Sequence, residues 1–429
     1  MRHVQEAMAV HRAGRLSEAE QQYQQALVLE PDNADALHLY GLLMVSLGRL
    51  EQAAGQIARA IDAKPGVAIF HNNYGNVLMR LERLDEAEQQ YRQAIVLDSD
   101  RVDAMNNLGV LLSRRGQHAD AEKVLLRLVE LLPQFSDARQ NLAQVYIATG
   151  RLSEAVDQCL KGLVTTPANR GLRHVLGLAY GALGWVDEAV ELYRNWLEED
   201  PDDVRARHHY SAYTGQGVPD RASAAYVRMT FDTFAEGFES KLADLDYRAP
   251  ALVGQALAKA LGEPRAALRI ADAGCGTGLC ARFLKPYARE LVGVDLSRPM
   301  LERAALKQLY DELRQADLVE FLQSRPDAFD ALISADTLCY FGVLDGFAAA
   351  ARHCLLPGGR LVFTVEALDD EQATPPWRLQ THGRYSHRRA YVEETLIAAG
   401  FQAPEIQGVF LRNESKKPVA GWLVIATTC

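Results

Sequence analysis

Gly14, Gly48, Gly116, Gly150 and Gly184 stand on one lattice with a spacing of 34 residues, and Glu82 occupies its missing point. Pro31, Pro65, Pro133, Pro167 and Pro201 form a second lattice of the same period, with Ser99 in the gap. Ala19, Ala53, Ala87, Ala121, Ala155 and Ala189 form a third. Three lattices at one period confine this part of the chain to a repeat architecture, whatever the rest does. In NNYGNVLMRLERLDEAEQQYRQAIVLD apolar residues recur at helical spacing on both sides of the turn. Each unit therefore reads as helix, turn at the glycine, helix, stop at the proline. One such pair cannot bury its apolar face, so neighbouring units must stack into a continuous core.

Tyr40, Tyr74, Leu108, Leu142 and Leu176 precede the small residues Gly41, Gly75, Gly109, Ala143 and Gly177, where helices are expected to pack closely. Period and pattern resemble the tetratricopeptide repeat. One partial and five full repeats are expected in residues 1–204. The first helices carry amides in two rows, Asn73, Asn107 and Asn141 beside Asn72, Asn106 and Gln140, flanked by His38 and His174. A carboxamide has a donor and an acceptor and can pair with one peptide unit, so the row can grip an extended chain by its backbone. It resembles the asparagine ladder in the repeat arm of the O-linked N-acetylglucosamine transferases. The plainer reading is that these amides cap and solvate helices. Arg80 and Arg114 join the candidate groove as contacts to acidic groups.

Length and charge bound the rest. A chain of 429 residues exceeds one ordinary core, and a net charge of −10 argues against duplex nucleic acid. The six cysteines form no CxxC pair and are expected as reduced thiols, with no metal site. The sequence shows no signal peptide and no run of membrane-spanning length, so a cytoplasmic protein with no membrane partner is expected.

After Pro201 the lattice fails, and Arg205–Ala224 reads as a linker leading to a lid helix within 205–250. From there strand-like runs at Leu268–Ala271, Leu291–Val294, Ala331–Ser334 and Arg360–Val365 alternate with helical segments, as in a parallel sheet covered on both faces. The fold class expected is thus an all-helical solenoid followed by a Rossmann-like α/β domain over 251–429. In LRIADAGCGTGLCARFL the strand ends at Asp272, and Gly274, Gly276 and Gly278 form the loop into the next helix. Glycines there let backbone approach a ligand. The spacing is not the GxGxxG of a dinucleotide fold, and an acid two residues ahead suits an amine-bearing ligand better than a pyrophosphate. The next strand, LVGVDLS, ends in Asp295, placed to accept two ribose hydroxyls.

DxGxGxG followed by VD resembles the class I S-adenosylmethionine-dependent methyltransferases. FDALISADTLCYFG, LLPGGRLVFTVE and the closing segments EIQGVFLR and GWLVIATT extend that resemblance over roughly 225–429. The stretch YVRMTFDTFAEGFESKLADLDYRAPALV is similar to the lead-in of a bacterial group that carries tetratricopeptide repeats and is distantly related to the trans-aconitate methyltransferases. The resemblance implies S-adenosylmethionine as cofactor, held by Asp272, Gly274, Cys275, Gly276, Gly278, Asp295, Leu296, Met300, Asp317, Leu318 and Asp336. Tyr226, Phe231, Phe234 and Phe238 then either cap the cofactor or pack the lid helix on the sheet.

The acceptor is less determined. In WRLQTHGRYSHRRA, His387 is the candidate base, or else only a residue near a helix start; Tyr385 and Arg384 stand beside it, and Arg384 suits an acidic acceptor. ADTLCY in place of an NPPY-type motif disfavours a nucleic-acid base. Three readings follow. One is methyl transfer to a peptide or protein recruited by the repeats. A second is a small-molecule methyltransferase, acting on a carboxylate or natural product, whose repeats make a homodimer or dock it. The third is a non-catalytic scaffold.

Overall fold

The structure is a computed structural model that describes residues 2–239, 242, 245–369, 374–414 and 417–429. It divides into two compact units, Met1–Ala179 and Tyr180–Cys429. The first holds helix pairs α1 (Arg2–Arg12) and α2 (Leu16–Leu29), α3 (Ala34–Ser46) and α4 (Leu50–Ala63), α5 (Ala68–Arg80) and α6 (Leu84–Leu97). It continues with α7 (Val102–Arg114) and α8 (His118–Leu131), α9 (Ser136–Thr149) and α10 (Leu152–Thr165), and most of α11 (Arg170–Leu183).

Every glycine of the turn lattice is left-handed, with φ between 71° and 80°, and Glu82 adopts the same conformation at φ 60°. That conformation costs a residue with a Cβ about 1–2 kcal/mol, so the repeat geometry is imposed on Glu82 by its neighbours. The small residues act as holes. A Cβ on Gly41, Gly75 or Gly109 would stand 2.5 Å from Ile57, 2.6 Å from Tyr91 or 2.6 Å from Leu125. Those three side chains are buried at the same point of successive second helices.

The second unit opens with α12 (Val186–Glu199) and α13 (Val204–Thr214). Residues 204–214 are therefore helix, which corrects the linker reading of Arg205–Ala224. Asp203 caps α13 by accepting from the Arg205 and Ala206 amides, Gly215 ends it in the left-handed region, and α13 packs on α12. Its polar sequence hid it, because His208, His209 and Ser211 are buried.

Next come α14 (Ala224–Phe234), capped by Ser223, and α15 (Ala249–Leu261). The sheet comprises β1 (Leu268–Ala273), β2 (Ala288–Asp295), β3 (Glu312–Gln315), β4 (Phe329–Ser334) and β5 (Leu355–Ala367), then β6 (Trp377–Leu379), β7 (Tyr385–His387), β8 (Glu405–Glu414) and β9 (Lys417–Thr427). Its order is β3-β2-β1-β4-β5-β7-β6, with β9 antiparallel to β5 and β8 to β9. Helices α16 (Ala281–Leu284), α17 (Arg298–Leu306), α18 (Leu318–Gln323), α19 (Asp345–Cys354) and α20 (Arg389–Ala398) connect the strands. Val253, Leu257 and Leu284 cover one face through Leu291 and Ile333. Phe321, Phe347 and Leu396 cover the other through Val294 and Leu332. Chain order reverses between β1 and β4, where the carboxyl ends of a parallel sheet open a crevice.

Gly75 and Gly55 are both helical, but an added Cβ on Gly55 meets open space. Gly55→Ala is expected to stabilise the repeats by about 0.5–1 kcal/mol, while Gly75→Ala destabilises them by about 1–3 kcal/mol. Urea unfolding of the full chain reads both; a Gly75→Ala protein as stable as its parent would contradict the packing.

Candidate active site

The loop after β1 sits at that crevice. Gly274, Gly276 and Gly278 have φ of 74°, 52° and 83°, and a Cβ on Gly274 would overlap Thr337 Oγ1 at 2.2 Å. The Gly274 and Cys275 amides donate to the Val294 carbonyl, locking the loop to the end of β2. Asp295 accepts from the Gly276 amide at 2.9 Å and the Ser297 amide at 2.8 Å. Burial pushes its carboxyl up, and those amides oppose the shift. Asp317 caps α18 through the Val319 amide and pairs with Arg221 at 3.0 Å.

Asp272 lies beneath the loop, 1% exposed. Its Oδ2 accepts from the Tyr310 hydroxyl at 2.6 Å, and its Oδ1 meets no hydrogen-bond partner among the described residues. Burial raises its pKa to about 7, with Tyr310 opposing and Asp295 adding. A buried carboxylate oxygen left alone is costly, which marks it as a place for a donor.

A cavity of about 370 Å³ opens at this point. Its walls include Gly274, Cys275, Gly276, Asp295, Leu296 and Asp317 on one side. Phe231, Phe234 and Phe238 of the lid segment cover it, with Asp336 and Arg384 at the far end. Of the residues assigned to the cofactor, Asp272, Met300 and Leu318 are not among its walls: Asp272 is buried beneath the loop, Met300 in α17 and Leu318 at the start of α18. Gly278 also stands back, against the Tyr310 ring.

The far end is ionic. Arg412, 3% exposed, donates through Nη1 to both oxygens of Asp336 at 2.8 and 2.7 Å and through Nε to Glu414 at 2.7 Å. Its Nη2 reaches Glu366. Arg384 donates through Nε to Glu366 at 2.7 Å and through Nη2 to Glu414. Burial pushes Glu366 up, but Arg384 and Arg412 outweigh it and hold its carboxyl at about 2. Asp336 is held in left-handed backbone at φ 55°, with its amide on Thr364 Oγ1. Sequence reasoning missed Arg412, Glu414 and Arg221. The available signal for the first two was a pair of charges closing the apolar run of β8.

Two expectations for the acceptor fail here. His387 is fully buried off the cavity, its Nε2 donating to the Gly342 carbonyl at 3.1 Å, and burial pushes it down to about 4. Tyr385 is equally buried, and its hydroxyl donates to the Pro219 carbonyl at 2.8 Å. The cause is β7, which hydrogen-bonds to the end of β5 and turns both side chains into the core. Arg384 does reach the cavity, yet two of its nitrogens are engaged by carboxylates.

In the first unit the amides hold one another. Asn73 pairs with His38, Asn107 donates to Asn72, and Asn141 donates to Asn106, each reaching back 35 residues at 2.8–3.0 Å. Asn107 also donates to Asn76, so both of its N–H groups are used within the row. This corrects the expected free bidentate face at Asn107; its carbonyl is the atom left to a guest. Arg114 is mostly buried against Glu82 at 2.5 Å, while Arg80 is exposed. No helix is long and apolar enough to cross a membrane, and no three His, Cys, Asp or Glu converge on a metal site, among the described residues.

Comparison with known proteins matches residues 271–363 to a methyltransferase domain and 4–170 and 171–203 to tetratricopeptide repeats. This chain joins tetratricopeptide repeats to a class I methyltransferase domain. Human methyltransferase-like protein 27 is 37% identical over 166 residues, 38% of this chain and 64% of the relative. The malonyl-(acyl-carrier protein) O-methyltransferase of Enterobacter lignolyticus is 32% identical over 111 residues, 26% of this chain and 44% of the relative. The chain spans less than two thirds of the length of these curated relatives. A solved 1,6-didemethyltoxoflavin-N1-methyltransferase of Burkholderia thailandensis is 24% identical, with a TM-score of 0.39 over 48% of this chain and 88% of that one.

The cofactor of this methyltransferase class is S-adenosylmethionine, and Asp272 is the expected partner of its ammonium group. Because burial raises Asp272 to about 7, the free site holds a proton at lower pH that must leave before a cation binds. Affinity is expected to fall by up to about tenfold per pH unit below 7, with proton uptake by buffer measurable calorimetrically. Asp272→Asn should flatten that dependence; a slope unchanged in the variant would assign it elsewhere.

Proposed function

We propose that the second unit transfers the methyl group of S-adenosylmethionine to an acceptor recruited by the repeats, a peptide or protein. The observation that carries the donor half is a cavity walled by the Cβ-free loop and Asp295, with the lone buried Asp272 oxygen beneath that loop. Asp272 would take the methionine ammonium, the Gly274 and Gly276 backbone its tail, Asp295 the ribose hydroxyls and Asp317 the adenine amino group. When bound, the cofactor supplies an electrophilic methyl on sulfur, so the chain need form no covalent intermediate. The chain's task is to orient the acceptor atom, about 3 Å from the methyl and in line with the bond that breaks, and to exclude water. The aromatic lid supports the second task.

The repeat row supports the recruitment half, since the Asn107 carbonyl and the exposed Arg80 leave polar groups for an extended guest. One observation favours the small-molecule reading instead: the cavity is mostly apolar and roofed by Phe231, Phe234 and Phe238. Removing the ribose acceptor with Asp295→Ala is expected to weaken cofactor binding about 100-fold or more. Asn107→Ala with Asn141→Ala should leave that binding intact and lower transfer of labelled methyl to protein in an extract lacking the enzyme. Label appearing only in small molecules, unaffected by the repeat variants, would replace the first reading with the second.

A further inference from the structure

We propose that the acceptor end of the cavity takes an amine nitrogen carried on an apolar body. This rests on the methyl-transfer reading and specifies its acceptor. The far end contains two guanidinium groups, Arg384 and Arg412, and three carboxylates, Asp336, Glu366 and Glu414, which leaves one negative charge in excess. Asp336 is counted as a carboxylate because both its oxygens accept N–H groups of Arg412. His382 lies 3.5 Å from Glu366 at the outer edge, its side chain 40% exposed; the protein packed around it and the nearby Arg384 hold its imidazole below its usual value, which favours the neutral ring near neutral pH. Arg221 stands at the other end and is spent on Asp317.

Position matters as much as charge. Asp336 follows β4 and Gly274 follows β1, the two strands flanking the order reversal, so Asp336 borders the crevice where the reacting atoms belong. Phe231 and Tyr340 line the same cavity, edge to face at 5.6 Å, and an aromatic ring face favours a cation. In transfer to a neutral amine the nitrogen lone pair forms the new N–C bond as the S–C bond breaks, and that bond's electron pair stays on sulfur. The positive charge moves from sulfur to nitrogen, towards the excess carboxylate, and no proton leaves during the step. An amine that arrives protonated first gives its proton to water. A carboxylate acceptor would bring negative charge against Glu414 and Asp336, with both arginines already engaged.

Calorimetry on the full chain loaded with S-adenosylhomocysteine tests this with two probes of one body, 2-phenylethylamine and 3-phenylpropanoate. The amine is expected to bind about tenfold more tightly, with Glu414→Gln erasing most of the difference while S-adenosylhomocysteine binding holds. The wild-type comparison stands if that variant fails to fold. N-acetyl-lysine amide in the same assay separates sources: tighter binding than 2-phenylethylamine assigns a lysine side chain, and weaker binding a free amine, both within the proposal. Tighter binding of the carboxylate, equal binding, or binding of no probe would overturn it. Failure to bind S-adenosylhomocysteine at all would instead overturn the methyl-transfer reading beneath it.

Discussion

A guanidinium cannot be buried alone, and Arg412 is buried with three carboxylates gathered on it. Each comes from a different part of the catalytic unit: Asp336 from the loop after β4, Glu366 from the end of β5, Glu414 from the end of β8. Through Glu366 the network also takes in Arg384, just ahead of the short strand β7. Withdrawing charges from water costs several kcal/mol per ion, repaid only when the partners are in place. The loops therefore have to arrive together, and the left-handed backbone of Asp336 is held at a site where such strain is informative.

The repeats solve a different problem, with backbone carbonyls rather than carboxylates as the acceptors. The carbonyl after each second helix lies in a loop and needs a donor. Arg59 supplies it to Pro31, His71 to Pro65, Arg127 to Ser99, Arg139 to Pro133 and Arg173 to Pro167, all at 2.9–3.0 Å. The donor comes from the next unit's second helix in two cases and its first helix in three. The chemistry is kept while the position changes. The amide row works alike, each asparagine satisfying the preceding repeat, so the row that invites a guest is also part of what holds neighbouring repeats in register.

What the sequence made legible follows from this contrast. Period, turns and close packing repeat every 34 residues, so local pattern was enough, and even Glu82 could be read as a glycine position. The β1 loop and Asp295 were legible because a strand end, three glycines and a second strand end lie within one short stretch. Helix α13 was not, since its buried histidines satisfy partners far along the chain: His208 donates to the Gly383 carbonyl across 175 residues. His387 misled for the same reason. A polar residue beside a helix start looks exposed until β7 pairs with β5 and turns it inward. Arg412 and Asp336 stand 76 residues apart, a pairing that no spacing rule anticipates.

The lid brings the two halves of the site together. Asp232 accepts from the Ser297 hydroxyl at 2.6 Å, Glu239 pairs with Lys307 at 2.5 Å, and Arg221 pairs with Asp317. All three contacts land at the two ends of α17 and the cap of α18, while the aromatic rings of the same segment cover the cavity. The two ion pairs, partly exposed, contribute little each, and the third contact is a single hydrogen bond to the buried Ser297. Arg221 occupies the carboxylate that the adenine amino group would approach. A cofactor seated as proposed and the Arg221 end of the lid therefore meet at one side chain, Asp317.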